Sequence, residues 1–169
     1  AGRIGREGWV FSFLGVDSTK RWSGISRAAA AWRPGQSRWE VLPPVPGPVG
    51  RLAAAAAVVR GRAFLFGGYT VDSAGNERSV PAVDIYDPAR RAWSAGAPIP
   101  VPVDDAIGFV WRDSLVYLVS GWHDTDNVQD VQLYDAVRNR WSKATPIPGP
   151  GVFGHAGGGV GNTIVFIDG

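Results

Sequence analysis

Apolar residues in this chain fall in short clusters, set apart by glycine, proline and aspartate. Ala63–Phe66 and Leu115–Val119 are unbroken apolar runs, as strands covered on both faces are. Val83–Tyr86 and Val131–Tyr134 alternate apolar with polar, the mark of half-buried strands. Ala53–Val59 and Ala106–Trp111 are built from small apolar residues suited to a crowded inner position. Between strands, Asp87-Pro88-Ala89-Arg90 reads as a turn, because Pro presets φ and Asp bonds its own backbone. Trp93 and Trp141 open outer strands that end at Pro98-Ile99-Pro100 and Pro146-Ile147-Pro148, where a residue without an N–H belongs at an edge. No stretch keeps a helical period. The prediction is all-β.

The clusters repeat. Arg51–Gly68 followed by Val83–Trp93 matches Asp104–Gly121 followed by Val131–Trp141. A shorter first copy runs from Phe11–Gly15 to Ala28–Trp39, and a last one covers Phe153–Gly169. Gly15, Gly68 and Gly121 are spaced by 53, Tyr86 and Tyr134 by 48, and Trp39, Trp93 and Trp141 by 54 and 48. In each copy an aromatic precedes the Trp by 7: Trp32, Tyr86, Tyr134. A fixed period of this size is the signature of a repeat architecture.

A glycine doublet, a Tyr and a Trp about seven residues later, at a period near ~50, resembles the kelch repeat. Gly67-Gly68 is the full doublet; Leu14-Gly15, Ser120-Gly121 and Asp168-Gly169 keep the second glycine, and Trp32 stands where Tyr is usual. The resemblance covers essentially the whole chain. It implies a kelch-type β-propeller of four-stranded blades around a channel. About three and a half blades are expected: a partial blade over 1–39, blades over 40–93 and 94–141, and a partial blade over 142–169. A six- or seven-bladed ring is the expected parent, with further blades after Gly169; otherwise open blade edges should associate. The repeated glycines and aromatics are assigned to scaffold.

Composition narrows the chemistry. The chain is 45% apolar and 19% charged, enough to bury a core, and Gly 23 with Pro 13 fits many turns. Cys 0 excludes disulfides, zinc knuckles and cysteine nucleophiles, and Met 0 implies a processed chain or a fragment. The net charge of +2 comes from basic residues scattered along the sequence, so no nucleic-acid footprint is expected. The longest apolar run, Leu52–Val59, is far short of the ~20 residues of a membrane span. These residues contain no signal peptide, the missing start leaves room for a removed one, and the compartment stays open.

Function in such a scaffold is expected in the loops at one mouth of the channel. One loop set follows the glycines (Val16–Ser26, Tyr69–Pro81, Trp122–Gln129) and carries Asp17, Lys20 and Trp22, then Tyr69 and Arg78, then Trp122, His123 and Asp124. The other leads into the small-residue strands and carries Arg51, Asp104, Asp105, Phe153 and His155. Arg51 and Asp104 are repeat-equivalent with opposite charge. The expected site is Arg51, Tyr69, Arg78, Asp104, Asp105, Trp122, His123, Asp124 and His155, binding a protein partner or a small or sugar ligand. Tyr, Trp and Arg are the residue types enriched at binding hot spots. No cofactor is expected. Gly121–Asn127 lacks the glycine and closing Glu of a calcium loop, and the copper site of galactose-oxidase-type relatives needs a Cys. The alternative implied by the resemblance is a copper-independent sugar mutarotase or isomerase. Asp104, Asp105, His123 or His155 would then shuttle protons while Arg51 or Arg78 holds a carboxylate.

Overall fold

The computed structural model describes residues 2–4, 7–160 and 163–167. The Asp168-Gly169 pair of the last repeat lies outside the described residues. The first sheet comprises β1 (Gly2–Ile4), β2 (Glu7–Phe13), β3 (Ala29–Trp32) and β4 (Glu40–Val41), hydrogen-bonded in that order. A single 3-10 turn at Trp22–Gly24 interrupts the connection between β2 and β3. Next come β5 (Ala55–Val59) and β6 (Arg62–Phe66), a side hairpin of β7 (Tyr69–Val71) and β8 (Glu77–Ser79), then β9 (Val83–Asp87) and β10 (Ala92–Ala95). The third repeat supplies β11 (Ile107–Trp111), β12 (Leu115–Val119), the hairpin β13 (Trp122–His123) with β14 (Asp126–Asn127), then β15 (Val131–Asp135) and β16 (Arg140–Lys143). In both repeats the side hairpin stays out of the main sheet, which is ordered β5-β6-β9-β10 or β11-β12-β15-β16. The chain ends in a two-stranded sheet, β17 (Ala156–Val160) and β18 (Thr163–Ile167).

The fold is all-β, with every pairing among the described strands antiparallel. The expected strands form close to their expected bounds, with three differences. β5 begins at Ala55 because Ala53 takes a left-handed φ of 54° and Leu52 bridges to Tyr69. The first repeat, expected to be partial, is a complete four-stranded sheet. The boundary drawn after Trp39 separates β4 from its sheet, and those after Trp93 and Trp141 cut into β10, which runs to Ala95, and β16, which runs to Lys143.

Successive sheets pack through their first strands: β5 lies beside β1 and β11, and β11 lies beside β17. Small residues allow this crowding, as at Gly108, where a Cβ would stand 3.8 Å from that of Ala55. Between the first three sheets lie two apolar cores of one design. Phe64 and Phe66 of β6 stack at 6.0 Å, and Tyr134 of the next sheet meets both edge-on at 6.0 and 5.4 Å. Trp141, paired with Tyr134 across β15 and β16, meets Phe66 at 5.9 Å and donates its indole N–H to Ala97 O at 2.8 Å. One sheet earlier, Phe11 and Phe13 receive Tyr86 and Trp93, and Trp93 donates to Pro43 O at 2.9 Å. Edge-to-face contact of this kind adds about 0.5–1.5 kcal/mol per pair beyond the area buried.

The glycines do what their positions demand. Gly68 and Gly121 hold φ of 89° and 111°, and a Cβ would come within 2.4 Å of Leu52 O or 2.6 Å of Asp104 O. The preceding residues Leu14, Gly67 and Ser120 are all left-handed, at φ 63°, 60° and 54°. Loss of the first glycine in two copies therefore changes the residue without changing the bend.

Candidate functional site

Strand direction decides which loops meet. Connections from second to third strands, and from one sheet to the next, emerge at one end; the two remaining turns of each sheet emerge at the opposite end. At the first end the lead-in loops are tied side by side. Asp105 N–H donates to Ala53 O at 3.0 Å, and Gly154 N–H donates to Asp105 O at 3.1 Å. Each loop also clasps its own side hairpin, through the bridges Leu52–Tyr69 and Asp104–Trp122.

Asp104, Asp105, Tyr69, Trp122 and Asp124 gather around this junction. Asp104 is 4% exposed and accepts a hydrogen bond from Ser79 Oγ at 2.6 Å. Burial lifts its carboxyl from 3.8 to about 6, aided by the charges of Asp105, Glu77 and Asp124 and opposed by the Ser79 bond. Burial also raises Asp105, against the opposing pull of His155. Tyr69 is pushed up by burial and by the nearby charges of Glu77, Asp105 and Asp104. Ser79 N–H donates to Asp124 Oδ1 at 2.9 Å, and Asp124 N–H returns a bond to Ser79 Oγ at 3.1 Å. Trp122 donates to Asp124 O at 3.1 Å and lies 5.8 Å from Phe153, which is 48% exposed. His155 is buried edge-on to Phe166 at 5.8 Å.

Three expected residues stand apart. Arg51 is buried and forms an ion pair with Asp84 of β9 at 2.7 Å. In the third repeat the equivalent positions are Asp104 and Gln132, which do not pair; Gln132 instead brackets Val101, donating to its O and accepting its N–H. His123 points Nδ1–H at Pro102 O, 2.7 Å away. Arg78 is exposed on β8 and lines a cleft of about 680 Å³ with Trp22, Val49, Val71 and Asp72. That cleft lies between the loops of the first and second repeats. The corresponding gap between the second and third is closed by the Ser79–Asp124 bonds. Ser79 itself was invisible in the sequence, since a lone hydroxyl in a polar hairpin carries no signal.

Among the described residues no three carboxylates or imidazoles are grouped as a metal site. Among the described residues no helix is long and apolar enough to cross a membrane.

No family model matches the chain, and no curated protein matches it. Solved structures do. One of them, titled "Structure of YjhT", superposes with a TM-score of 0.78 over 94% of this chain at 19% identity. The two share a fold. The chain spans 54% of the length of YjhT, so the likeness concerns the arrangement of sheets over about half of that protein.

Proposed function

We infer that the sheets are blades of a kelch-type β-propeller, and that the chain is a binding module whose loop mouth takes a partner protein through a basic segment. The propeller reading is supported by small first strands lying side by side from sheet to sheet, and by one aromatic interlock repeated at two successive interfaces. One observation carries the binding reading. Tyr69, Trp122 and the half-exposed Phe153 stand beside Asp104, Asp105, Glu77 and Asp124 at the same end. Aromatic faces next to carboxylates suit an ammonium or guanidinium group, which gains from both the ring quadrupole and the charge. Arg78 and Trp22 on the neighbouring cleft extend the surface available to the rest of such a segment.

The test is titration of Lys- and Arg-bearing peptides against the quenching of tryptophan fluorescence. Trp122→Ala should weaken binding by about tenfold or more with an unchanged melting temperature. Preference for acidic peptides, or a Trp122→Ala variant that binds as the parent does, overturns the reading.

A second reading, sugar mutarotation or isomerisation, draws on Asp104, which burial raises to about 6, and on Asp105, which burial raises beside His155, because a carboxyl held protonated by burial can act as a general acid. Asp105→Asn with His155→Gln then abolishes anomerisation of reducing sugars followed by NMR. Absence of turnover in the parent chain removes this reading.

A further inference from the structure

The net charge of +2 conceals a strong separation between the two ends of the molecule. In the turns β5–β6, β11–β12, β9–β10, β15–β16 and the β3–β4 connection, which emerge at the end opposite the mouth, nine arginines among the described residues face four carboxylates, Glu40, Asp87, Asp113 and Asp135. The excess there is five positive charges, and the mouth end is correspondingly acidic. Basic residues that look scattered along the sequence are collected by the topology, because these turns repeat at the period of the sheets.

The carboxylates at this end are already engaged. Glu40 faces Arg33 and Arg91, Asp87 pairs with Arg90 at 3.8 Å, and Asp135 pairs with Arg138 at 2.9 Å. Asp113 Oδ1 accepts the Arg60 N–H at 2.7 Å, which holds the tips of two neighbouring hairpins side by side. Arg38, Arg60, Arg112 and Arg140 are exposed and have no carboxylate partner among the described residues. Apolar groups stand among them. Trp39 is 45% exposed and Val137 is 57% exposed, and Arg112 lies over the Trp111 ring at 5.6 Å. The hairpin turns here are short, two residues between β5 and β6, three between β11 and β12, and four between β9 and β10 and between β15 and β16.

We propose that this arginine-rich end docks on an anionic lipid bilayer. Uncommitted guanidinium groups supply attraction to acidic headgroups, and Trp39 and Val137 supply apolar contact at headgroup depth, where tryptophan is favoured. A flat partner matches a set of short turns; a duplex, being convex and narrow, would meet few of them at once. This orientation leaves the acidic mouth facing the solvent.

Sedimentation with vesicles tests the proposal independently of any mouth ligand. The chain is expected to pellet with phosphatidylserine–phosphatidylcholine vesicles, to ignore pure phosphatidylcholine, and to be released by salt. Arg60→Glu with Arg112→Glu should weaken binding by about tenfold or more. Arg60→Gln with Arg112→Gln gives a smaller loss, and circular dichroism with thermal melting verifies that each variant folds. Trp122→Ala, at the other end, should bind vesicles as the parent does. No binding to anionic vesicles, equal binding by the charge-reversed variant when folded, or preference for duplex DNA over vesicles overturns the proposal.

Discussion

Asp104 and Arg51 occupy equivalent positions and have opposite fates. Arg51 finds Asp84 across the sheet, and the side chains of the pair are 7% and 9% exposed. Removing one partner strands the other charge without water, so Arg51→Ala should cost about 3–5 kcal/mol in urea unfolding, while Arg51→Met with Asp84→Leu recovers most of it. Asp104 has no such partner, since Gln132 stands where Asp84 does. Its folded value of about 6 lies above the ordinary 3.8, so ionising it costs more in the folded chain than in the unfolded one. That burden is fully present above about pH 6 and is relieved as pH falls towards 3.8. Asp104→Asn is therefore expected to raise the melting temperature at pH 8 and to leave it nearly unchanged at pH 4. A variant less stable than the parent at pH 8 would contradict the assignment. Neither fate was legible from the residues alone, because the partners are 33 positions apart and the repeat does not preserve the pairing.

Strands were far more legible than side-chain partners. Alternation and apolar runs located β6, β9, β12 and β15 within a residue or two, because sheet burial acts on every position along a strand. The side hairpins β7–β8 and β13–β14 escaped notice, as short polar stretches whose pairing depends on neighbouring loops. The aromatic spacing marked Trp39, Trp93 and Trp141 as equals, and the structure separates them. Trp93 and Trp141 each cap a Phe-x-Phe pair of the preceding sheet, whereas Trp39 has no sheet before it in the described residues and is 45% exposed. Trp141→Ala should accordingly lower stability by about 3 kcal/mol in denaturant titration, and Trp39→Ala by about 0.5 kcal/mol or less. Equal losses would place Trp39 in a packed environment.

Across the whole molecule, the loops at one end and the turns at the other differ in charge as well as in length. The residue list gave no hint of this, since sidedness belongs to the order in which strands connect. That two loop sets share one end was legible; their fastening through Ser79, and the cleft beside Trp22, required the packing of successive sheets.

The aromatic interlock also has a direction. The second sheet offers Phe64 and Phe66 on one flank and Tyr86 with Trp93 on the other, so its neighbours fit in only one sequence order. A duplicated unit spliced in frame between the loops at 42–54 and 96–106 would therefore find matching flanks on both sides, whereas the same unit assembled with its strands in reverse order would bring like against like.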